Sequence, residues 1–494
     1  MDVNLKPQMS PAEERFESAR KSFGKIAAPL LFLSLIVIPM TALNPEQHML
    51  VAVLGLVMTL WITEAIPLAI TGILAPIAMI VLGVVPAQKA FAPFADPIMF
   101  LFVGAFILAR AIQLHKLDRR LAYAVLTQPW VGESPGRILF AFGAVCTLVS
   151  MWISNTATVA MMFPIGLAVI HMLKRANEQT PLDKYACAMM LICAFGASIG
   201  GLATPVGTPT NLIGLGFIER QLGVHVAFFD WMKFAVPLVV VLYLLLFLYL
   251  NFFLARTVKQ FSGIKELLRR EHETLGSMTR GERNTLLAFG VTVLLWTLPG
   301  ILALTLGDDH AMTQLVVKHL PESVAALVGA CLLLFLPAHE GERTQTLALT
   351  EALDIDWGVL AMYGGGIALG QTVFETKLAE QVGQIFASII PTSGVGLIAF
   401  SSGIATIVSE LTSNVSSANM VVPLVIAIGG HSSFQAALAA TMASSLGFML
   451  PISTPTNAIV YSSGFVPLGR MIRYGIVLDV LGFVVIVCAS AVFL

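Results

Sequence analysis

Apolar residues gather into runs of membrane-spanning length at 26–43, 48–63, 66–85, 233–254, 285–305 and 472–494, each with few or no charges. A helix needs about 20 such residues to cross the hydrocarbon core, so these runs predict an all-α, polytopic membrane protein. Polar residues interrupt the pattern deep inside apolar surroundings. The stretch 154-SNTATVAMMFP-164 opens with Ser154, Asn155 and Thr156, and 201-GLATPVGTPTN-211 sets Pro205 and Pro209 among glycines and threonines. The prolines lack backbone donors, and Gly207 admits torsions that other residues avoid. In lipid the backbone groups freed by such breaks would have no partners. These stretches must therefore be buried in protein or line a cavity.

The interruptions occur twice. Ser150, Asn155 and Pro164 recur as Ser409, Asn414 and Pro423, each 259 residues later. Ser198, Gly201, Pro205 and 208-TPTN-211 recur as Ser444, Gly447, Pro451 and 454-TPTN-457, at an offset of 246. Gly104 with Lys116-Leu117 matches Gly365 with Lys377-Leu378, at an offset of 261. Three collinear pairs indicate a duplication, with repeat 1 at 48–254 and repeat 2 at 286–494. If each repeat crosses an odd number of times, the second is inverted relative to the first. Inverted-topology repeats are the mark of alternating-access secondary transporters.

Charge fixes an expected orientation. Basic residues cluster at Arg15, Arg20, Lys21 and Lys25, and again in the segment 255–285, at Arg256, Lys259, Lys265, Arg269, Arg270, Arg280 and Arg283. The positive-inside rule puts both on the cytoplasmic side of an inner (plasma) membrane. The loop 307–321 is poor in basic residues, and the chain ends in an apolar run, so the C-terminus is expected on the outer side. About eleven crossings follow. The polar residues 1–24 form a cytoplasmic N-terminal segment. The apolar run after them lacks a small-residue cleavage site, making 25–47 a first transmembrane helix rather than a signal peptide.

Other chemistries find little support. Charged residues make up 12% of the 494 and the net charge is −1, which gives no reason to expect a nucleic-acid partner. The five Cys lie in apolar stretches and read as buried thiols. No HExxH or His-x3-His spacing suggests a metal site, and no Ser-His or paired-Asp constellation suggests an enzyme. The run 364-GGGIALG-370 lacks the Lys-Ser/Thr of a phosphate loop and reads as close helix packing. Glu64, just before Pro67, reads as a helix-end cap. Glu410, beside Ser409, either adjusts cation affinity or is structural. Arg110 is expected to anchor an amphipathic helix at the interface.

Broken helices offer two kinds of binding group. Helix N-termini present free N–H groups and partial positive charge to an anion. Freed carbonyls, with Ser, Thr and Asn oxygens, suit a small cation. The motifs contain no Arg or Lys, so a dianion held there needs helix ends and co-bound cations to neutralise it, which argues for coupled transport.

The elements 61-WITEAIPLAITGILAP-76, 97-PIMFLFVGAFILARAI-112, SNTATVAMMFPI, GLATPVGTPTNLI and 449-MLPISTPTNAIVYSSGFV-466 resemble the divalent anion/sodium symporter family over residues 25–494. That family includes bacterial dicarboxylate transporters and animal sodium-dicarboxylate, citrate and sulfate carriers. The resemblance implies a homodimer with scaffold and transport domains, an elevator movement and two re-entrant hairpins. It places Gly104–Leu117 and Gly365–Leu378 in re-entrant structure leading to arm helices. It further implies one sodium site at Ser150, Ser154, Asn155 and Gly207, and another at Ser409, Thr412, Asn414 and Ser453. Substrate would meet Ser154, Asn155, Thr156, Thr208, Ser413, Asn414, Val415 and the turn at Thr454-Pro455. One departure stands out: where many dicarboxylate members repeat SNT, this chain reads 413-SNV-415, and Val415 cannot donate a hydrogen bond. The expected activity is sodium symport of C4-dicarboxylates such as succinate, malate or fumarate. Sulfate or citrate symport and dicarboxylate exchange stay open as alternatives.

Overall fold

The computed structural model describes residues 11–176, 182–255, 264–340, 343–386, 391 and 393–493. The first half comprises α1 (Pro11–Val37), α2 (Pro45–Thr63), α3 (Leu68–Val81), α4 (Ala87–Phe91), α5 (Pro97–Leu114), α6 (Leu117–Leu126), α7 (Pro135–Ser150), α8 (Asn155–Ala176), α9 (Asp183–Gly200), α10 (Pro209–Leu222) and α11 (Phe228–Phe253). The second half comprises α12 (Ile264–Thr274), α13 (Arg280–Leu306), α14 (Ala311–His319), α15 (Glu322–Phe335), α16 (Leu349–Ala352), α17 (Trp357–Glu375), α18 (Leu378–Phe386), α19 (Gly394–Leu411), α20 (Asn414–Ile428), α21 (Ser433–Ala443), α22 (Pro455–Tyr461) and α23 (Leu468–Phe493). The described strands, β1 (Pro337–Glu340) and β2 (Arg343–Gln345), pair as one small antiparallel hairpin.

Local chemistry sets the helix starts. Asn44 and Gln47 form a capping box ahead of α2, as Thr279 and Glu282 do ahead of α13, each satisfying two otherwise free N–H groups. α10 and α22 both start with proline after an extended threonine, Thr208 at φ −142° and Thr454 at φ −144°. Proline costs nothing there because the first-turn N–H has no helical partner anyway.

Packing in one half is matched in the other. α5 crosses α15, and α17 crosses α3. α7 and α8 pack on α9, while α19 and α20 pack on α21. The halves also interlock, since α10 reaches α20 and α21 while α22 reaches α8 and α9. Lys116 (φ 56°) and Lys377 (φ 60°) turn the α5–α6 and α17–α18 corners in the left-handed region. That conformation costs a non-glycine residue roughly 1–2 kcal/mol, so both corners are held by what surrounds them. On the first, Arg120 of α6 grips Glu282 at 2.6 and 3.1 Å and the Leu275 and Gly276 carbonyls at 3.2 and 3.1 Å.

Several expectations change. Gly104 and Gly365 lie inside continuous helices, not re-entrant segments; α5 belongs to a 28-residue apolar span, Ala87–Leu114. Their glycines serve close crossings: a Cβ on Gly104 would sit 2.6 Å from the Ala326 carbonyl carbon, and one on Gly365 1.8 Å from the Gly72 oxygen. Gly364 and Gly366 are packed as tightly, against Phe94 and Asn419. Seven described helices are long and apolar enough to cross a membrane, or eight if the bent pair α14–α15 is one span. The number falls short of eleven partly because α9–α10 and α21–α22 are each interrupted at a polar turn and α3 has 14 residues. The boundary expected at residue 24 falls within the unbroken α1. Arg110 is on α5 rather than the amphipathic α6, and pairs with Asp354 at 2.6 Å. Cys331 and Cys488 are exposed on outward helix faces instead of buried. Arg256 and Lys259 lie outside the described residues.

At the far end of α10, His225 meets Glu219 at 3.2 Å and Glu322, the first residue of α15, at 3.5 Å. Hydrogen bonds that the ring donates to Glu219 and then to Glu322 push the imidazole from its ordinary 6.5 up to about 10. A raised histidine stabilises fully below its unfolded pKa and loses that effect as pH climbs through the folded one. His225→Ala should therefore lower the melting temperature most below pH 6.5, progressively less from there to about pH 10, and not at all above it. Melting of the detergent-purified variant across that range checks this. A second outcome concerns the crossings. Gly365→Ala should destabilise by about 1–3 kcal/mol or more through overpacking. Gly290→Ala, with open space around its Cβ position, should not, as thermal unfolding of the pair will read.

Candidate functional site

Four helices start at one place. α8, α10, α20 and α22 follow the SN and TPTN breaks, and their first residues surround a cavity of about 700 Å³. Ser154, Asn155, Thr156, Thr208, Ser413, Asn414, Val415, Thr454 and Pro455 all line it. The opposite wall comes from Leu68 and Ala69 of α3, Gln113 of α5, and Gly358 and Met362 of α17. The volume suits a small ligand.

The breaks are closed by side chains that stand in for peptide groups. Asn211 Nδ2 donates to the Gly201 and Thr204 carbonyls at 2.9 and 2.8 Å. Asn457 Nδ2 donates to the Gly447 and Leu450 carbonyls at 2.9 and 3.0 Å. Each asparagine thus ties down carbonyls that lost their helical donors when the chain unwound. The Oδ1 atoms of both are buried without a hydrogen-bond partner.

The SN turns are equally matched. Ser150 Oγ donates to Asn155 Oδ1 at 2.7 Å, and Ser409 Oγ donates to Asn414 Oδ1 at 2.8 Å and to the Ser444 carbonyl at 2.7 Å. Ser154 caps the first turn of α8 by accepting from the Ala157 N–H at 3.3 Å, as Ser413 does for α20 from Ser416 at 3.1 Å. Glycine backs each asparagine. A Cβ on Gly201 would fall 2.4 Å from Asn155 Oδ1, and one on Gly447 would fall 3.3 Å from Asn414 Oδ1 and 3.4 Å from Ser409 Oγ.

These contacts gather two oxygen clusters. In the first, Ser150 and Asn155 face the turn at Gly207, where a Cβ would lie 2.6 Å from the Gly201 oxygen and 3.0 Å from the Met151 oxygen. In the second, Ser409 and Asn414 meet Ser453 around Gly447. Thr412 contributes less through its hydroxyl, which donates to the Val408 carbonyl at 2.8 Å. Neutral oxygens of this kind suit a hard monovalent cation. The clusters differ at two matched positions: Ser453 stands where the first half has Gly207, and its Oγ donates to Glu410 Oε2 at 2.6 Å, while the equivalent of Glu410 in the first half is Met151.

The cavity has no basic lining residue among the described residues. Its charged lining residue is Asp356, whose Oδ1 accepts from the Val359 N–H at 3.2 Å and so caps α17. Favourable potential for an anion must come from the four helix N-termini, each worth about half a positive charge. Thr156 presents a hydroxyl to the cavity, and its counterpart Val415 presents methyl groups.

Other singled-out residues fall elsewhere. Glu64 ends α2 in the left-handed region (φ 48°) and pairs with Arg20 at 3.2 Å, away from the cavity. Conversely, Gly201, Gly447, Asn211 and Asn457 shape the site without having been singled out as ligands. Their membership of the repeated motifs is the signal that could have found them. Gln113, Met362 and Asp356 carry no such signal, because helix packing alone brings them to the cavity.

Comparison with known proteins gives the family and the fold. The family model described as the sodium:sulfate symporter transmembrane region matches residues 20–494. The sodium-dependent dicarboxylate transporter SdcS of Staphylococcus saprophyticus is 32% identical over 484 residues, covering 94% of this chain and 89% of the relative. Its Staphylococcus aureus (strain USA300) counterpart is 32% identical over 482 residues, covering 95% and 90%. Among solved structures, the Alcanivorax borkumensis YdaH transporter (12% identity, TM-score 0.54, 97% of this chain and 98% of that one) shares the fold. Neisseria gonorrhoeae MtrF (13%, TM-score 0.54, 96% and 95%) does too. The protein is thus an all-α, multi-pass membrane protein and not an enzyme. Its chain belongs to the sodium:sulfate symporter family.

Proposed function

We propose that the protein is a sodium-coupled symporter of small divalent anions, with C4-dicarboxylates such as succinate, malate and fumarate as the favoured substrates. One observation carries this reading: four helix N-termini converge on a small cavity without a basic side chain, backed by two oxygen clusters. A dianion there lacks a fixed counter-charge, so sodium ions at the two clusters complete the site and make binding obligatorily coupled. The 32%-identical staphylococcal relatives are named sodium-dependent dicarboxylate transporters, which supports the reading. Ser150, Ser154, Asn155 and the Gly207 turn would hold one ion. Ser409, Thr412, Asn414 and Ser453 would hold the other. Ser154, Asn155, Thr156, Thr208, Ser413, Asn414 and the Thr454-Pro455 turn would meet the substrate.

The transport cycle is read as an elevator in an inner-membrane homodimer. Taking α1, α2, α3, α5, α9–α10, α11, α13, α15, α17, α21–α22 and α23 as crossings gives eleven, with α7–α8 and α19–α20 as two re-entrant hairpins and repeats 48–254 and 286–494 inverted. The matched packing of the two halves supports this arrangement. The basic N-terminus and linker place the N-terminus in the cytoplasm and the C-terminus outside. One contact supports reading the state as inward-facing. Arg20, in the basic N-terminal segment, reaches both Glu64 beside the α3 wall and the Leu411 carbonyl, at 3.1 Å, at the second hairpin's tip.

In proteoliposomes, inward uptake of labelled succinate should require a sodium gradient and fall to background with choline. Uptake unchanged in choline would overturn symport and leave exchange. Asn155→Ala and Asn414→Ala should each abolish uptake in protein that still folds, since each removes a cation ligand and the acceptor that orients the Ser150 or Ser409 hydroxyl.

Val415 is the reason to test substrates side by side. A hydrogen bond to a charged group contributes about 1.5–3 kcal/mol, so Val415→Thr should tighten a C4-dicarboxylate by about tenfold or more in competition uptake. If citrate or sulfate outcompetes succinate in the unmutated protein, the pocket is built for that anion instead.

A further inference from the structure

Behind the second oxygen cluster lies a pair of carboxylates that the transport reading leaves unused. α23 presses against the segment joining α21 and α22: a Cβ on Gly475 would fall 2.3 Å from the Phe448 oxygen and 2.6 Å from Met449 Cα. One turn further along the same face stands Asp479, whose carboxylate lies against that of Glu410. Glu410 is 3% exposed and Asp479 6%. Glu410 is partly satisfied, accepting from the Met449 N–H at 2.7 Å and the Ser453 hydroxyl at 2.6 Å. Asp479 meets the Glu410 carboxylate and the Phe448 backbone, yet neither of its buried oxygens makes a well-formed hydrogen bond, and neither acid meets an Arg or Lys among the described residues.

The fold does not require these acids. Asp479 is the twelfth residue of α23, and the twelfth residue of α11 is Val239, equally buried. Glu410 corresponds to Met151. Where one half has two apolar residues, the other has two carboxylates in contact, an arrangement that repels itself and is costly to bury without a counter-charge. The three groups converging there, two carboxylates and the Ser453 hydroxyl, are hard oxygen donors, and none can be displaced into water.

We propose that Glu410 and Asp479 hold a third cation, a sodium ion, directly behind the second cluster, with Ser453 shared between the two positions. This rests on the sodium-coupled reading above. With the ion in place the Asp479 carboxylate balances its charge, so a third sodium can bind without adding net positive charge to the loaded site. The first half, with Met151 and Val239, holds no such ion.

The test uses the full-length protein in proteoliposomes with sodium-22 and carbon-14 succinate. Asp479→Asn should carry one sodium fewer per succinate than the unmutated protein, and Asp479→Glu should keep the original ratio. Asp479→Val, which installs the first-half residue, is the second variant and removes the charge without leaving a polar group behind. If a variant folds but does not transport, the steepness with which sodium raises its melting temperature in detergent should drop by one ion. An unchanged ratio or steepness in both neutral variants would overturn the proposal. So would uptake driven by a proton gradient at fixed sodium that Asp479→Asn abolishes, because the pair would then share a proton. Sodium-independent inward uptake by the unmutated protein would instead overturn the symport reading itself, a result distinguishable from the others.

Discussion

Everything at the site follows from the intolerance of a membrane interior for unpaired backbone. Four helices must begin inside protein at membrane depth so that their N-termini can face an anion, and each beginning frees carbonyls from the segment before it. Asn211 and Asn457 resolve this by donating to two of those carbonyls apiece. With the turns held in this way, the serine, asparagine and carbonyl oxygens around them can turn toward a cation. The same side chains therefore keep the chain foldable in lipid and build its binding groups. This is why TPTN cannot be separated into structural and functional residues.

The two halves solve that problem alike but do not end alike. Thr156 faces Val415 across the cavity, and Met151 and Val239 stand where Glu410 and Asp479 stand. Duplication supplied the frame, with matched hydrogen bonds at 2.7 and 2.8 Å in the SN turns. Differences confined to a few side chains then gave each lobe its own polarity.

Much of this was legible in the sequence, for a physical reason. A membrane chain uses polar residues sparingly, so repeated SN and TPTN stretches carry information that scattered serines in a soluble protein would not. The nine positions gathered by the cavity are drawn from those stretches alone. What could not be read came from packing. Gln113, Met362 and Asp356 reach the cavity through helix crossings, and Asp479 meets Glu410 although 69 residues separate them in the chain. Gly104 and Gly365 were misplaced because glycine signals both a broken helix and a close crossing, and only the neighbour, Ala326 or Gly72, tells which.

The interlocking of the halves bears on how the protein is made. α10 packs against α20 and α21, which begin 192 and 211 residues after α10 ends. At about 5–20 residues per second of synthesis, the ribosome needs roughly 10–40 s to supply them. Throughout that interval the first polar turn sits in a half-built molecule with its cross-half partner, Ser445, not yet made. The bonds from Asn211 to the Gly201 and Thr204 carbonyls and from Thr204 to the Met151 carbonyl lie within the first half, so the turn can close on itself early and lock to the second half only when Ser445 arrives.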